Sequence, residues 1–405
     1  MGVLRTLGSV ARFGRPVLSA RKRRFQRAAS IDDLRSIARR RLPGGIFDYI
    51  DGGAEDEVTL RANSAAFAAY GFRPRVMRDV STVDTAVTLL GHRLASPLLF
   101  APTGFTRIAH SEGELAVARV AGRHGLPYTL STLSTRSIEE VAAVTTGPRW
   151  FQVYVWRDRG MVRDMLRRAK ACGYDTIMIT VDTAVLGRRE RDVRRGFTLP
   201  PKLGPGTLVD GLLHPSWTWD FVRHEPITFA NVAGSGPDGS GTAVTLSDFI
   251  SEQFDPALSW DDLDWFRAEW DGSILLKGVQ TVEDAVTAVR HGADGVVLSN
   301  HGGRQLDGAP APLRLVRPVR DALGDGATVI CDGGVRRGGD IVKAIALGAD
   351  ACTMGRTYLY GLGAAGEAGV ERALAMLTDE LRRAMQLCGV RSLAETGPDL
   401  VEELR

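Results

Sequence analysis

The sequence contains little cysteine and no long apolar run. Its 405 residues include four cysteines, and their spacings match neither a zinc motif nor a disulfide framework: Cys172, Cys331, Cys352 and Cys388. No apolar run approaches the roughly 20 residues that a membrane-spanning helix requires. These absences predict a protein of a reducing compartment, the cytoplasm, with no bound metal and no transmembrane helix.

The N-terminal segment lacks acidic residues. None precedes Asp32, whereas the segment carries these basic residues: Arg5, Arg12, Arg15, Arg21, Lys22, Arg23, Arg24 and Arg27. It has no apolar core of signal-peptide length, so secretion is not expected. Residues 1–29 are predicted to be a disordered basic tail, with a lipid-surface anchor or a transit peptide as alternatives. The net charge of the whole chain, +3, is too small to indicate a nucleic-acid partner.

A regular alternation of strands and helices follows the N-terminal segment. Strands are expected at 97–102, 128–131, 151–155, 176–182, 274–277, 295–299, 328–332 and 351–354. Helices are expected at 112–124, 138–144, 160–172, 282–291, 312–323, 340–347 and from 368 onward. Such alternation predicts a parallel sheet covered by helices, and eight units close naturally as a (β/α)8 (TIM) barrel. The competing doubly wound sheet normally has a Gly-x-Gly-x-x-Gly turn after its first strand, where this chain has Pro102, Thr103 and Gly104.

Three further segments flank or interrupt the barrel, which is assigned to residues 30–395. Helices at 30–41, 45–54 and 57–67 predict a helical lead-in, and residues 396–405 are expected to be a C-terminal tail. A long insertion, residues 188–261, follows the fourth strand, and connections of this length are usually functional or disordered. Its segment 212–223 contains Trp217, Trp219 and Phe221, which favours a lid over the barrel mouth; contact with a bilayer interface is the alternative.

The stretch 299–307, SNHGGRQLD, follows the sixth strand and carries the clearest chemical signal. His301 can accept a proton near neutral pH, and Arg304 can hold a carboxylate through two parallel hydrogen bonds. The carboxyl ends of the strands are where such barrels carry their active sites. The pair therefore predicts chemistry on the carbon next to a carboxylate, although a chance histidine in a strand-to-helix turn is the plainer alternative.

Polar residues stand at the end of every predicted strand, which makes a chance placement of His301 and Arg304 less plausible. In chain order they are Thr103 and Gly104; Ser131; Gln152 and Tyr154; Thr180 and Asp182, with Arg189 shortly after; Lys277; His301 and Arg304; Asp332; and Gly355 with Arg356. Hydroxyls, an amide and a lysine suit the polar edge of a planar heterocycle. The segment 332–336, together with Gly355 and Arg356, occupies the usual phosphate site of these barrels.

Several long motifs resemble the FMN-dependent α-hydroxy-acid dehydrogenase/oxidase family, which includes L-lactate dehydrogenase, mandelate dehydrogenase and glycolate oxidase. They are FDYIDGGAEDE, FQVYVWRDR, TVDTAVLGRRERD, SNHGGRQLD and DGGVRRGGDIVKAIALGAD, and they occur in the family's order. The resemblance extends from about residue 30 to 390. It implies a TIM barrel, an FMN cofactor and oxidation of a 2-hydroxy acid.

The resemblance also implies roles for individual residues. The implied catalytic residues are His301, Asp182 and Tyr154, and the implied substrate-binding residues are Tyr49, Tyr154, Arg189 and Arg304. The implied FMN-binding residues are Thr103, Gly104, Ser131, Gln152, Thr180, Lys277, Ser299, Asp332, Gly333, Gly334, Val335, Arg336, Gly355 and Arg356. These roles suit the chemistry, because oxidation of a hydroxy acid requires a base, which a histidine can supply, and an electron acceptor, which must be a cofactor.

Two positions refine the expected substrate and acceptor. Where glycolate oxidase has a tryptophan this chain has Leu133, which favours L-lactate, oxidised to pyruvate, or a larger acid such as mandelate or a long-chain hydroxy acid. Gly104 and the aromatic insertion resemble the membrane-associated dehydrogenases, which favours transfer to quinone or another carrier over oxygen. The resemblance further implies a homo-oligomer, a tetramer, and peripheral contact with the inner face of the cell membrane. A non-catalytic flavin-binding barrel would require a lost base, and the base is present.

Overall fold

The computed structural model describes residues 19–196, 204–232 and 252–404. From residue 19 onward, four helices and three short strands precede the barrel: α1 (Ala20–Arg27), α2 (Ile31–Arg41), α3 (Gly44–Asp51), α4 (Val58–Ala68), β1 (Tyr70–Phe72), β2 (Val87–Leu89) and β3 (His92–Leu94). The lead-in helices lie close to their expected positions, whereas the three strands occupy a stretch that was expected to be irregular. Ser30 caps α2 by accepting a hydrogen bond from the Asp33 N–H (3.2 Å).

The presence of α1 corrects the expectation of a disordered tail through residue 29. Ser19 caps the helix by accepting from the Lys22 N–H (3.3 Å), and arginine and lysine are good helix formers. Phe25 packs against the hydrophobic core, and Arg372 donates to the Ala28 carbonyl (3.0 Å). These tertiary contacts hold a segment whose charge alone predicted disorder, while residues 1–18 lie outside the described residues.

The remaining chain alternates strands and helices. The elements are β4 (Leu98–Phe100), α5 (Gly113–Arg123), β5 (Tyr128–Ser131), α6 (Ile138–Val144), β6 (Arg149–Tyr154), α7 (Arg159–Ala171), β7 (Thr176–Thr180), α8 (Glu190–Arg195), α9 (Pro205–Leu213), α10 (Pro215–Val222), α11 (Trp260–Glu269), β8 (Ser273–Val279), α12 (Val282–Arg290), β9 (Gly295–Ser299), α13 (Pro312–Leu323), β10 (Thr328–Asp332), α14 (Gly338–Ala346), β11 (Ala351–Met354), α15 (Arg356–Ala365), α16 (Glu367–Cys388) and β12 (Val401–Glu403).

Strands β4 to β11 form a closed parallel barrel in the order β10-β11-β4-β5-β6-β7-β8-β9. The predicted (β/α)8 fold is confirmed. All residues of β4, β5, β7, β9 and β11 are buried, as expected for strands covered on both faces. Because every barrel strand runs in the same direction, all eight carboxyl ends meet at one mouth.

Helix α15 begins directly after β11, in a glycine-rich stretch where no helix was expected. Local composition disfavours a helix there, yet Gly361 lies against the backbone of α16, where a Cβ would stand 2.3 Å from the Gly369 carbonyl oxygen. Gly366, with a φ of +64°, separates α15 from α16. Close helix packing therefore outweighs the low helix propensity of glycine.

The insertion after β7 contains the helical hairpin α9–α10. The Asp210 carboxylate accepts from the Gly44 N–H (2.7 Å), and the Trp217 indole donates to the Ile108 carbonyl (2.8 Å). None of the residues 204–222 lines the cavity at the mouth, although Ile108, to which Trp217 donates, does so; the lid over the mouth stays a prediction. The glycine-rich stretch 204–211 is mostly helical, and the stretch 234–241 lies outside the described residues.

The expected C-terminal tail is part of the folded domain. Strand β12 pairs antiparallel with β1, with Tyr70 opposite Glu403 and Phe72 opposite Val401. This pairing could not be read from the sequence, because β12 is short and its partner lies more than three hundred residues earlier. Within the part of the chain that the structure describes, no helix is both long and apolar enough to cross a bilayer.

Candidate active site

A cavity of about 600 Å³ opens at the carboxyl ends of the barrel strands. Small-molecule and cofactor sites typically enclose about 300–1,000 Å³. The predicted site residues that line it are Tyr49, Thr103, Gly104, Gln152, Tyr154, Thr180, Arg189, Lys277, His301, Arg304, Asp332, Gly333, Gly334, Val335, Arg336, Gly355 and Arg356. The fold therefore brings together side chains from the lead-in, the strand ends and the insertion.

The other three predicted site residues lie behind the cavity wall. The Ser131 hydroxyl donates to Oε1 of Gln152 (3.1 Å), and the Gln152 amide donates to the Thr180 hydroxyl (3.0 Å). Ser299 and Asp182 are likewise buried behind lining side chains. These residues orient the side chains that face the cavity instead of lining it.

His301 has an unusual backbone and a defined ring orientation. Its φ of +58° lies in the left-handed region, and Gly302 and Gly303 continue in that region. The His301 N–H donates to Oγ of Ser299 (3.0 Å), and Nδ1 lies 3.0 Å from Oδ1 of Asp182. A non-glycine residue with positive φ is uncommon and is often found at functional sites. The bond at Nδ1 leaves Nε2 as the ring nitrogen that can meet a ligand in the cavity.

Asp182 is buried beneath this imidazole, with a side chain only 3% exposed. A glycine is required beside it, because a Cβ on Gly278 would stand 2.8 Å from the Cβ of Asp182, and Gly278 has a φ of +102°. Burial opposes ionisation of the Asp182 carboxyl, but the charge and hydrogen bond of His301 together with the charge of Lys277 lower the pKa of that carboxyl. An ionised carboxylate at Nδ1 stabilises the protonated form of the histidine.

Two arginines and a tyrosine form a cationic end of the cavity next to His301. The guanidinium carbons of Arg304 and Arg189 lie 5.0 and 5.5 Å from the centre of the Tyr49 ring. Arg189 is paired with Asp192 (2.7 Å), whereas Arg304 donates to the neutral carbonyl of Tyr49 (2.5 Å). Burial, followed by repulsion from Arg189, lowers the pKa of Arg304 to about 9. Arginine stays cationic in proteins, so the lowered pKa means that the buried charge of Arg304 is poorly compensated. A bound anion would compensate this charge.

Tyr154 lines the same cavity and lies within electrostatic range of both Asp182 and the two arginines. Its ring packs edge-on against Phe254, with centroids 5.1 Å apart. Burial, and then the negative charge of Asp182, raise the pKa of the Tyr154 hydroxyl above its usual value. The hydroxyl therefore keeps its proton and can donate a hydrogen bond to an oxygen in the cavity.

A buried polar network holds Lys277 in the middle of the cavity. Its Nζ lies 3.0 Å from the Ser299 hydroxyl and 3.2 Å from the Asp332 carboxylate. Ser299 donates to Asp332 (2.6 Å), and the Thr353 hydroxyl bonds to the same carboxylate. Burial opposes ionisation of Asp332, but attraction to Lys277 together with the hydrogen bonds from Ser299, Thr353 and Lys277 lowers the pKa of the Asp332 carboxyl. The position of the lysine is therefore set by Ser299 and Asp332, and Thr353 holds Asp332 in place.

One part of the cavity, formed by the glycine-rich turn after β10 and the start of α15, has the features of a phosphate site. Gly333 and Gly334 have φ values of +119° and +85°, and a Cβ on Gly334 would stand 2.2 Å from the Asn63 carbonyl oxygen. Helix α15 begins at Arg356, and helix N-termini bind anions through free N–H groups. Within the described part of the chain, Arg356 donates only to neutral carbonyls, including that of Gly52 (2.8 Å), and burial lowers its pKa. An anion at this end would compensate its charge.

The prediction missed two groups that the tertiary structure supplies. The first is the C-terminal turn of α3, whose carbonyls at Ile50 and Gly52 accept from Arg356 and Arg304. The second is a set of apolar lining residues: Ile108, Leu186, Phe229, Phe254 and Leu359. Phe229 and Phe254 flank the part of the insertion that lies outside the described residues. No sequence motif marks them as lining residues, and only their burial in the structure shows this role.

The donor set fits a phosphorylated heterocyclic cofactor and a carboxylate substrate bound side by side. Two anion-favouring groups, one of Arg304 with Arg189 and one of Arg356 with the glycine-rich turn, share the cavity with an amide, hydroxyls and a lysine. Fold and site thus define a cofactor-dependent (β/α)8 enzyme that acts on a carboxylic acid.

The comparisons with known proteins identify the family. Residues 38–403 match the family model described as FMN-dependent dehydrogenase, so the chain belongs to that family. It is similar to a putative L-lactate dehydrogenase of Mycobacterium tuberculosis, with 45% identity over 403 residues, 99% of this chain and 96% of that protein. It is also 45% identical to an L-lactate dehydrogenase of Caulobacter vibrioides over 379 residues, 93% of this chain and 98% of that protein.

Solved structures agree with this assignment. The monotopic membrane protein (S)-mandelate dehydrogenase superposes with a TM-score of 0.90 at 39% identity, covering 94% of this chain and all of that chain. A mandelate oxidase with (S)-4-hydroxymandelic acid superposes with a TM-score of 0.80 at 40% identity, covering 93% of this chain and 98% of that one. The protein is therefore an FMN-dependent oxidoreductase acting on 2-hydroxy acids, and the predicted cofactor and enzyme class are confirmed.

Proposed function

We propose that this enzyme oxidises L-lactate to pyruvate and passes the electrons to a membrane quinone. The observation that carries the proposal is the hydrogen-bonded pair of His301 and Asp182, 3.0 Å apart, beside the arginine pair at the cavity's cationic end. A base and a carboxylate site together suit removal of a proton from a 2-hydroxy acid. Bound FMN supplies the two-electron acceptor that no side chain provides.

His301 takes the substrate proton at Nε2, because Nδ1 is engaged by Asp182. The imidazole becomes cationic in this step, and the buried carboxylate of Asp182, whose pKa is lowered, stabilises that cation. Asp182 therefore acts through His301, without touching the substrate. The strained backbone of His301 and the tight contact at Gly278 keep the ring over the cavity.

The substrate carboxylate binds to Arg304 and Arg189 beside Tyr49. Arg304 donates to the carbonyls of Tyr49 and Gly52 and lies against the Tyr49 ring, and its lowered pKa favours an anionic ligand. Tyr154, which keeps its proton, donates to the hydroxyl or keto oxygen of the substrate. Together these groups orient the carbon that carries the hydroxyl toward His301.

The remaining predicted residues would hold FMN. Lys277 lies among Ser299 and Asp332 and suits negative charge on the edge of the flavin ring. The residues expected around the ring are Thr103, Gly104, Ser131, Gln152, Thr180 and Ser299, and those expected around the ribityl chain and phosphate are Asp332, Gly333, Gly334, Val335, Arg336, Gly355 and Arg356.

L-Lactate is preferred over glycolate because Leu133, not a tryptophan, lines the cavity. The relatives named L-lactate dehydrogenase, at up to 45% identity, support this choice. A larger acid such as mandelate is the second candidate. Apolar lining by Phe229, Phe254 and Leu186 and the neighbours named mandelate dehydrogenase and mandelate oxidase favour it.

The acceptor is assigned from the surface of the α9–α10 hairpin. Its exposed apolar residues are Leu208, Val209, Leu212, Leu213, Trp219, Phe221 and Val222. Exposed apolar surface with tryptophan suits a membrane interface, and the similar (S)-mandelate dehydrogenase is called monotopic. We expect the enzyme to act at the inner face of the cell membrane as a homotetramer, with quinone rather than oxygen as acceptor.

An anaerobic substrate panel tests the activity. Purified enzyme is reconstituted with FMN and mixed with L-lactate, D-lactate, glycolate, (S)-mandelate and a long-chain 2-hydroxy acid, while the flavin absorbance is followed. L-Lactate is expected to bleach the colour fastest and glycolate slowly. Bleaching by mandelate alone would favour the second candidate, and bleaching by none of these acids would reject the proposal. The reduced flavin is then reoxidised with oxygen or with a quinone analogue. Faster return of the colour with oxygen than with the quinone analogue would identify an oxidase.

A further inference from the structure

Helix α1 presents a dense positive charge on a fixed support. Its eight residues include five basic ones and no acidic one, and all five are exposed: Arg21, Lys22, Arg23, Arg24 and Arg27. Among the described residues no carboxylate forms an ion pair with any of them. Phe25 packs on the core, and Arg372 donates to the Ala28 carbonyl, so the helix is docked on the barrel domain.

The apolar hairpin is also anchored at a defined place. Asp220 of α10 accepts from the buried guanidinium of Arg41 (3.2 Å) and from the Ser111 hydroxyl (2.6 Å). These contacts hold one side of α10 against the domain and leave its other side in solvent, where Trp219 is 64% exposed. Arg223 lies over that indole, 5.2 Å from the ring centre.

The two features are neighbours in space although they are far apart in sequence. Arg41, which binds Asp220, also donates to the Gly363 carbonyl (3.2 Å), and Arg21 of α1 donates to the next carbonyl, that of Ala364 (3.4 Å). Two successive carbonyls of α15 therefore connect the basic helix to the anchor of the apolar hairpin. The basic and apolar surfaces lie side by side.

We propose that α1 and the α9–α10 hairpin form one composite docking surface for an anionic phospholipid bilayer. The hairpin inserts its leucine and tryptophan side chains at the interface, and α1 binds the phosphate headgroups beside it. This inference rests on the proposed membrane contact of the hairpin. It adds that the surface selects anionic lipids over neutral ones. Lipid is favoured over nucleic acid because exposed leucines and a tryptophan on helices match an interfacial surface, whereas phosphate-backbone recognition uses cationic and polar groups alone.

Vesicle sedimentation of the FMN-loaded full-length enzyme tests the composite surface. Vesicles of phosphatidylcholine are compared with vesicles of phosphatidylcholine mixed with phosphatidylglycerol, at low and high salt. Preferential, salt-sensitive binding to the phosphatidylglycerol vesicles is expected, because exposed charges are screened by salt. Equal binding to both vesicle types, no binding to either, or tighter binding to duplex DNA than to vesicles would overturn the proposal.

Charge-neutralising variants locate the effect. Lys22→Gln, Arg23→Gln and Arg24→Gln combined should weaken binding to the anionic vesicles on the order of 100-fold, since each basic residue near such a surface contributes roughly fivefold. The matched control combines Arg167→Gln, Lys170→Gln and Arg290→Gln, three exposed residues on α7 and α12, which cover other strands of the barrel. The control should bind as the unmodified enzyme does. Equal losses in the two variants would show general electrostatics and reject α1 as the site.

Flavin content and bleaching, measured beside vesicle binding, separate this inference from the proposed activity. None of the six substituted residues lines the active-site cavity, so flavin content and bleaching by L-lactate should be the same in both variants. Trp219→Ser should abolish binding to both vesicle types if the hairpin inserts, and full binding by this variant would remove the hairpin from the surface. An enzyme that binds anionic vesicles but bleaches with no hydroxy acid would reject the activity and keep the docking surface.

Discussion

At the scale of single residues, His301 decides what the cavity can do. Its ring is fixed by Asp182 at one nitrogen, and its backbone is fixed in the left-handed region by the Ser299 hydroxyl. The histidine and the motif around it were evident from the sequence. The partnership with Asp182 was expected only by resemblance, because 118 residues separate the two positions and only the closed barrel brings them together.

Replacing His301 tests the proposed base directly. His301→Gln should retain FMN and lower turnover of L-lactate by about 10²–10⁴-fold, which is what a general base typically contributes. Anaerobic flavin bleaching measures the rate. The matched control is His291→Gln, because His291 also forms a histidine–aspartate pair, with Asp264 (3.0 Å), but lies outside the cavity. Turnover unchanged in His301→Gln would remove this histidine from the mechanism.

At the scale of elements, the lead-in helix α3 builds part of the site. Its last turn presents carbonyls to Arg304 and Arg356, and its final residue, Asp51, is buried among Arg35, Arg191 and Tyr360. The sequence predicted the helix and, by resemblance, substrate binding by its Tyr49, but not the contacts of its last turn. The contacts that make it part of the site come from elements far along the chain.

The ion pairs of Asp51 predict a defined pH dependence of stability. Burial opposes ionisation, but hydrogen bonds from Arg35 and Tyr360 outweigh it and lower the pKa of Asp51 from 3.8 to about 2. A lowered pKa stabilises the folded state above the unfolded-state pKa, and the stabilisation is lost as the pH falls toward 2. Asp51→Asn should therefore cost about 2 kcal/mol of unfolding free energy at pH 7.

Urea unfolding at several pH values measures this difference. The two proteins should converge in stability between about pH 4 and pH 2, since the carboxylate of the unmodified protein becomes protonated there. The control is Asp164→Asn on α7, whose carboxylate is 49% exposed and pairs with Arg167. A constant gap between Asp51→Asn and the unmodified protein across this range would contradict the assigned cause.

At the scale of the whole molecule, the chain ends are part of one closed structure. Strand β12 pairs with β1 at the start of the domain, and Val401 is buried. The prediction that residues 396–405 form a tail was wrong because a three-residue strand has too little pattern to be recognised alone. Its partner is set by the closure of the domain around the barrel.

Truncation tests that closure. A chain ending at Leu400 should lose the pairing with β1 and the burial of Val401, worth about 1.5–3 kcal/mol of unfolding free energy. The measurement is the thermal midpoint of the FMN-loaded enzyme against a control chain ending at Leu404, which keeps β12 and its bond to Ala69 (2.7 Å). Identical midpoints for the two chains would show that β12 contributes nothing to stability.

The sequence by itself determined the barrel, the cofactor class and most of the side chains at the mouth. Strand and helix periodicity is local, and the carboxyl ends of parallel strands must converge, so residues such as Lys277 and His301 could be assigned without coordinates. Only the tertiary structure decided which side chains face the cavity and which lie behind it, the role of α3, and the folding of α1, α15 and β12. These features depend on contacts between residues far apart in the chain, and no local pattern encodes such contacts.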